Sequence, residues 1–140
     1  MMRRILCAAA LAMSSAGGAM ASEPTPGLYE VEMRMSLTGM PMQMPPMQFR
    51  NCLKAEDVRS GKAYAPEDSQ CKLTDLQQRG GKVSYRFRCA AEGRTMVGEA
   101  TGSSHANGYE MTMKGAFQPA MEGISAFSQT LKARRIGNCK

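Results

Sequence analysis

Four cysteines, Cys52, Cys71, Cys89 and Cys139, set the strongest limit on this chain, because each lies close to the end of a strand-like segment. Their separations are 19, 18 and 50 positions. A structural zinc site takes its cysteines in pairs about two to four residues apart, so this spacing argues against one. An even number of cysteines in an exported chain instead implies two disulfides formed in an oxidising compartment.

Export is read from the first 21 residues. Arg3 and Arg4 make a basic start, Ile5 to Ala16 form an apolar run, and Ala19-Met20-Ala21 supplies a small-x-small cleavage site. The run is about a dozen residues, short of the roughly twenty that a spanning helix requires, so the segment reads as a signal peptide that is removed and not an anchor. Cys7 leaves with it. Residues 22–140 then form one domain, long enough to bury a core of its own. The leader holds two of the 18 basic residues and none of the 12 acidic ones, leaving 16 against 12, a mild +4.

Leu28 to Thr38 alternates, with Val31, Met33, Met35 and Leu37 on one side and Glu30, Glu32, Arg34 and Ser36 on the other. That period of two predicts a half-buried strand. A second strand is expected over Met42 to Cys52, interrupted at Pro45-Pro46 because proline donates no hydrogen bond to a ladder. A short helix is expected near residues 53–60. Strands at 72–78 and 82–89 flank a glycine turn, another hairpin spans 94–102 and 109–115 around Ser103–Gly108, an irregular or helical link covers Phe117–Gly123, and the last strand runs from Ile124 to Ile136. The sum is an all-β domain: an antiparallel meander of about seven strands forming a curved sheet, an open barrel or a sandwich.

The glycine turn bears on cysteine pairing. If Arg79, Gly80 and Gly81 form a three-residue turn, Gln78 faces Lys82 and Cys71 faces Cys89, close enough to bridge. Cys52 is then left for Cys139. A two-residue turn moves the register by one and removes the argument, and Cys52–Cys71 with Cys89–Cys139 stays open.

Pro26-Gly27-Leu28-Tyr29-Glu30, Gly39-Met40-Pro41-Met42, Pro45-Pro46 and Cys52-Leu53-Lys54-Ala55-Glu56-Asp57 resemble the opening of the bacterial secreted proteins grouped as domain of unknown function 3617. Cys71-Lys72-Leu73-Thr74-Asp75, the Tyr85–Cys89 strand and Arg135-Ile136-Gly137-Asn138-Cys139 extend the resemblance over nearly all of residues 22–140, with Tyr29 where many members carry tryptophan. The resemblance implies a periplasmic location and carries over no catalytic residue.

Among residues that could carry chemistry, six methionines between positions 33 and 47 stand out. Thioethers are soft ligands suited to Cu(I) or Ag(I), and Met40, Met42, Met44 and Met47 are the candidate ligands. Core packing is the competing account, since Met33 and Met35 alternate with charged residues and methionine fills irregular gaps. His105, the single histidine, sits in a Ser103–Gly108 turn without a base-and-nucleophile arrangement around it. Glu56, Asp57, Glu67 and Asp68 show no shared pocket. Arg34, Arg50, Arg86, Arg88, Arg134 and Arg135 put positive charge on strands, which suits either a solvated sheet face or an anionic envelope partner. No phosphate-loop motif occurs, and nucleic acid is not expected.

The sequence therefore predicts a periplasmic, non-enzymatic protein without a cofactor, binding a small ligand or an envelope partner. A Cu(I) site in segment 33–47 is the alternative.

Overall fold

Alternating apolar and polar residues give the central strands one dry side, and here seven strands form a single antiparallel sheet with those sides on one face. The computed structural model describes residues 22–65 and 70–140. The leader at 1–21 and the carboxylates Glu67 and Asp68 lie outside the described residues. The strands are β1 (Gly27–Thr38), β2 (Met47–Leu53), β3 (Cys71–Arg79), β4 (Lys82–Ala91), β5 (Arg94–His105), β6 (Gly108–Met121) and β7 (Ile124–Gly137). Their order in the sheet is β2-β1-β7-β6-β5-β4-β3, so β1 lies between β2 and the last strand.

The sheet curls without closing into a barrel. Phe87 of β4 and Phe127 of β7 are three strand spacings apart, roughly 14 Å on a flat sheet. Their ring centroids are 6.2 Å apart, so the strands bend towards one another. Room for those rings comes from Gly98 and Gly115, which face each other across β5 and β6. A Cβ on Gly98 would meet the Phe87 ring at 2.5 Å, and one on Gly115 would meet the Phe127 ring at the same distance.

The inner face holds the core: Tyr29 and Val31 from β1, Val83, Tyr85, Phe87 and Cys89 from β4, Tyr109, Met111 and Met113 from β6, and Phe127 and Ala133 from β7. A cover crosses this face between β2 and β3. It consists of α1 (Ala55–Ser60) and a 3₁₀ turn at Lys62–Tyr64, joined at Gly61, whose φ of 76° terminates the helix. The Lys54 backbone N–H donates to Asp57 Oδ2 (3.2 Å), which closes the helix start. Val58 and Tyr64 are the buried residues of the cover.

Three expectations about connections are corrected. The segment 117–121 is strand, because Phe117 pairs with Met96 and packs its ring 5.6 Å from Phe127, while Pro119 falls in an irregularity of the β6–β7 register. Pro45 and Pro46 lie in the loop before β2, so that strand begins only at Met47. Likewise β5 reaches His105, which faces Gly108 across a two-residue turn at Ala106 and Asn107.

The glycine hairpin is the instructive case. Its turn has two residues, Gly80 and Gly81, with Arg79 facing Lys82. A β-bulge between Thr74 and Gln77 absorbs the extra residue, with Asp75 at φ 56°, and returns the register so that Cys71 faces Cys89. The two cysteines are bonded, Cα–Cα 4.0 Å, and Cys52 is bonded to Cys139, Cα–Cα 5.6 Å. Each disulfide holds one of the two edge strands, β3 and β2. On the loop-entropy account they contribute about 3 and about 4–5 kcal/mol respectively.

Candidate functional site: a groove inside the curl

The cover is too short to seal the inner face. At the end of the sheet where β1 finishes and β7 begins, Leu37 facing Phe127 and Met35 facing Gln129, Met35 and Leu37 stay partly exposed. The result is an open cavity of about 1000 Å³. Its floor is Val31, Met33, Met35 and Leu37 of β1, Leu131 and Phe127 of β7, Met113 and Phe117 of β6, and Met96 of β5. Phe49, Asn51 and Leu53 form one wall from β2, and Ala63, Tyr64 and Ala65 form the other from the cover. Polar groups stand at the rim, among them Lys54, Glu56, Ser60 and Lys62.

The opposite end of the same face is closed by tyrosines. Tyr64 meets Tyr109 edge-on at 5.3 Å, and Tyr29 lies 5.9 Å from Tyr109. Tyr85 donates its hydroxyl to the Tyr64 carbonyl oxygen (2.8 Å), and Tyr29 donates to the Thr25 carbonyl oxygen (2.7 Å). Burial pushes the hydroxyls of Tyr85 and Tyr109 up to about 12, because an ionised phenol would lose its hydration there. Tyr29 and Tyr64 move in the same direction and for the same reason, opposed at Tyr29 by the nearby Arg135 and at Tyr64 by Ser104. The Tyr64 hydroxyl is buried with no well-formed hydrogen bond among the described residues. Ser104, its polar neighbour, donates instead to the Ser22 carbonyl oxygen (2.6 Å), tying residues 22–26 against this end.

With this geometry in place, comparison with known proteins gives a family match. The family described as "Protein of unknown function (DUF3617)" fits residues 24–139. The chain belongs to that family. No curated protein and no solved structure matches it.

In this DUF3617 protein the residues singled out by sequence fall in different places. Met33 and Met35 line the groove, half-buried. Met40, Met42, Met44 and Met47 are 42%, 75%, 43% and 49% exposed, so core packing does not account for them. His105 is on a strand end away from the groove, where its Nδ1 accepts from the Asn107 backbone N–H (3.2 Å). Arg34 and Arg134 are paired with Glu32 and Glu30 (2.8 and 3.3 Å), and Arg135 donates to the Pro26 carbonyl oxygen and to Asn138. The charged side of the sheet thus carries both signs. Glu32 is held below the usual carboxylate range by its hydrogen bond to Arg34. Among the described residues, no three His, Cys, Asp or Glu side chains group as metal ligands, and no helix is long and apolar enough to cross a membrane.

Sequence reasoning did not find the groove of this DUF3617 protein. Its members Met96, Phe117, Phe127 and Leu131 come from three strands that only the curl brings together. The one available signal is Phe117 and Phe127, two aromatic residues flanking a Glu-Gly turn, in a stretch whose sequence suggests an irregular or helical link.

Proposed function

We propose that this is an exported, periplasmic binding protein without catalytic activity, which holds an elongated apolar ligand, or the apolar tail of an amphiphile, in the groove. The observation that carries this reading is the open cavity of about 1000 Å³ with a floor of Met, Leu, Val and Phe side chains. That is the upper end of the usual size for small-molecule pockets, about 300–1000 Å³, and most such pockets are apolar with a few polar groups to orient the ligand. Asn51 and Gln129 are the inward polar groups, and Lys54 and Lys62 at the rim suit a polar head. The cavity's lining holds no histidine and no free cysteine, and its hydroxyl, carboxylate and amide groups form no nucleophile–base pair. Export is supported by the sequence of the leader and by the two disulfides, which persist in oxidising compartments.

The test is titration with a fluorescent long-chain fatty acid. Saturable binding of one equivalent, displaced by unlabelled fatty acid and abolished by Leu131→Trp, is the expected result; a signal that never saturates, or one unchanged by Leu131→Trp, refutes the reading. Cell fractionation followed by N-terminal sequencing checks the compartment, with Ser22 expected as the first residue of the periplasmic form.

A further inference from the structure

The four exposed methionines, Met40, Met42, Met44 and Met47, cluster on one hairpin. Met47 opens β2 and faces Met33 of β1 directly in the ladder. Opposed residues share one side of the sheet with Cα atoms roughly 4.5–5.5 Å apart, so the two thioethers are neighbours. Met40, Met42 and Met44 occupy the loop that closes the same hairpin, where Pro41, Pro45 and Pro46 restrict the backbone. All three are exposed, Met42 by 75%. An isolated exposed methionine is unremarkable, but four in eight residues on one hairpin expose apolar surface that solvation disfavours.

The donors available there are chemically narrow. From Met35 to Phe49 the chain has no charged residue, no histidine and no cysteine. Apart from thioether sulfur, it offers only backbone carbonyls, Gln43 and Gln48 amides and Ser36 and Thr38 hydroxyls. A neutral set dominated by soft sulfur favours a soft monovalent ion over Zn²⁺, Ca²⁺ or Mg²⁺, which take thiolate, imidazole or carboxylate. The described cysteines are all in disulfides, so thiolates do not compete.

We propose that the β1–β2 hairpin is a Cu(I) site in which Met33 and Met47 form a fixed pair on the ladder and the loop methionines Met40, Met42 and Met44 close over the ion. The ion enters and leaves as Cu(I), with no electron transfer. The site meets the groove at Met33, which also lies on the groove floor, while Met40, Met42, Met44 and Met47 lie outside the groove's lining.

The disulfide-bonded protein is titrated anaerobically with Cu(I) against a competing chelator, and the complex is examined by X-ray absorption. One equivalent is expected, with sulfur as the dominant scatterer. The variant Met40→Leu/Met42→Leu/Met44→Leu keeps the apolar surface and removes only the ligand atoms. It is expected to lose about 100-fold in affinity, and Met47→Leu about 10-fold, while fatty-acid binding in the groove is unchanged. Copper left wholly with the chelator, a nitrogen or oxygen coordination shell, or equal affinity in the triple leucine variant overturns the site. If both proteins bind anionic lipid vesicles equally and neither binds copper, the patch is a membrane-docking surface and the metal proposal is also overturned.

Discussion

The two ends of the inner face are built on the same alternation and have opposite consequences. At the closed end, Tyr29, Tyr64, Tyr85 and Tyr109 are at most 5% exposed, and residues 22–26 are hydrogen-bonded against it. At the open end, Met33, Met35, Leu37, Phe117 and Leu131 keep part of their surface in solvent because the cover does not reach them. Period-two patterning therefore selects which side of a strand is apolar, whereas the length of one connection decides whether that side is core or binding surface.

The contrast is broken most strongly by truncation. Tyr85→Ala or Tyr109→Ala removes a fully packed ring and is expected to destabilise the fold by about 3–5 kcal/mol, against under about 2 kcal/mol for Leu131→Ala; chemical denaturation measures both. Equal losses would mean that the open end is core after all.

Alkaline titration acts next. Tyr85 and Tyr109 have folded pKa values raised to about 12 from 10.0, so the unfolded chain loses its phenolic protons first. Their stabilising contribution is complete below pH 10 and is lost as pH rises through 12, by about 3 kcal/mol per residue at roughly 1.4 kcal/mol per unit. Tyrosinate absorbance should stay low in the native protein above pH 10 and then rise together with unfolding.

Smaller changes sharpen the comparison. Tyr85→Phe deletes the hydrogen bond to the Tyr64 carbonyl and should lower stability by about 1 kcal/mol, with groove binding intact. Leu131→Trp, by filling open space, should alter stability by less than about 1 kcal/mol while ligand binding disappears. At the open end's turns, Glu92 and Glu122 hold φ of 49° and 46° ahead of glycines. Glu92→Asn and Glu122→Asn should each raise the thermal midpoint slightly, a gain of a few tenths of a kcal/mol, because asparagine tolerates that conformation better.

The all-β class, the number of strands and the cover helix were legible because alternation and glycine turns are local signals. The register of β3 on β4 was only half legible. The facing of Cys71 and Cys89 follows from a turn one residue shorter than expected and a bulge at Asp75 that offsets it, and nothing in Thr74-Asp75-Leu76-Gln77 announces a bulge. The groove was not legible, since its depth depends on how far β4 and β7 bend towards each other over Gly98 and Gly115. The methionine segment was conspicuous in sequence, yet its division into Met33 and Met35 on the groove floor and Met40, Met42, Met44 and Met47 in solvent depends on where β1 ends, at Thr38.

The placement of β1 between β2 and β7 also governs the order of assembly. β1 is the first strand to be synthesised, and it gains its second neighbour only when the last one arrives, a closure of about 100 residues; such distant pairing slows folding. Until then β1 and β2 stand as a lone hairpin with an open edge, vulnerable to pairing with another chain. Cys52–Cys139 oxidation joins the strands on either side of β1, so bond formation there marks the moment when the N-terminal strand is seated and can no longer be exchanged.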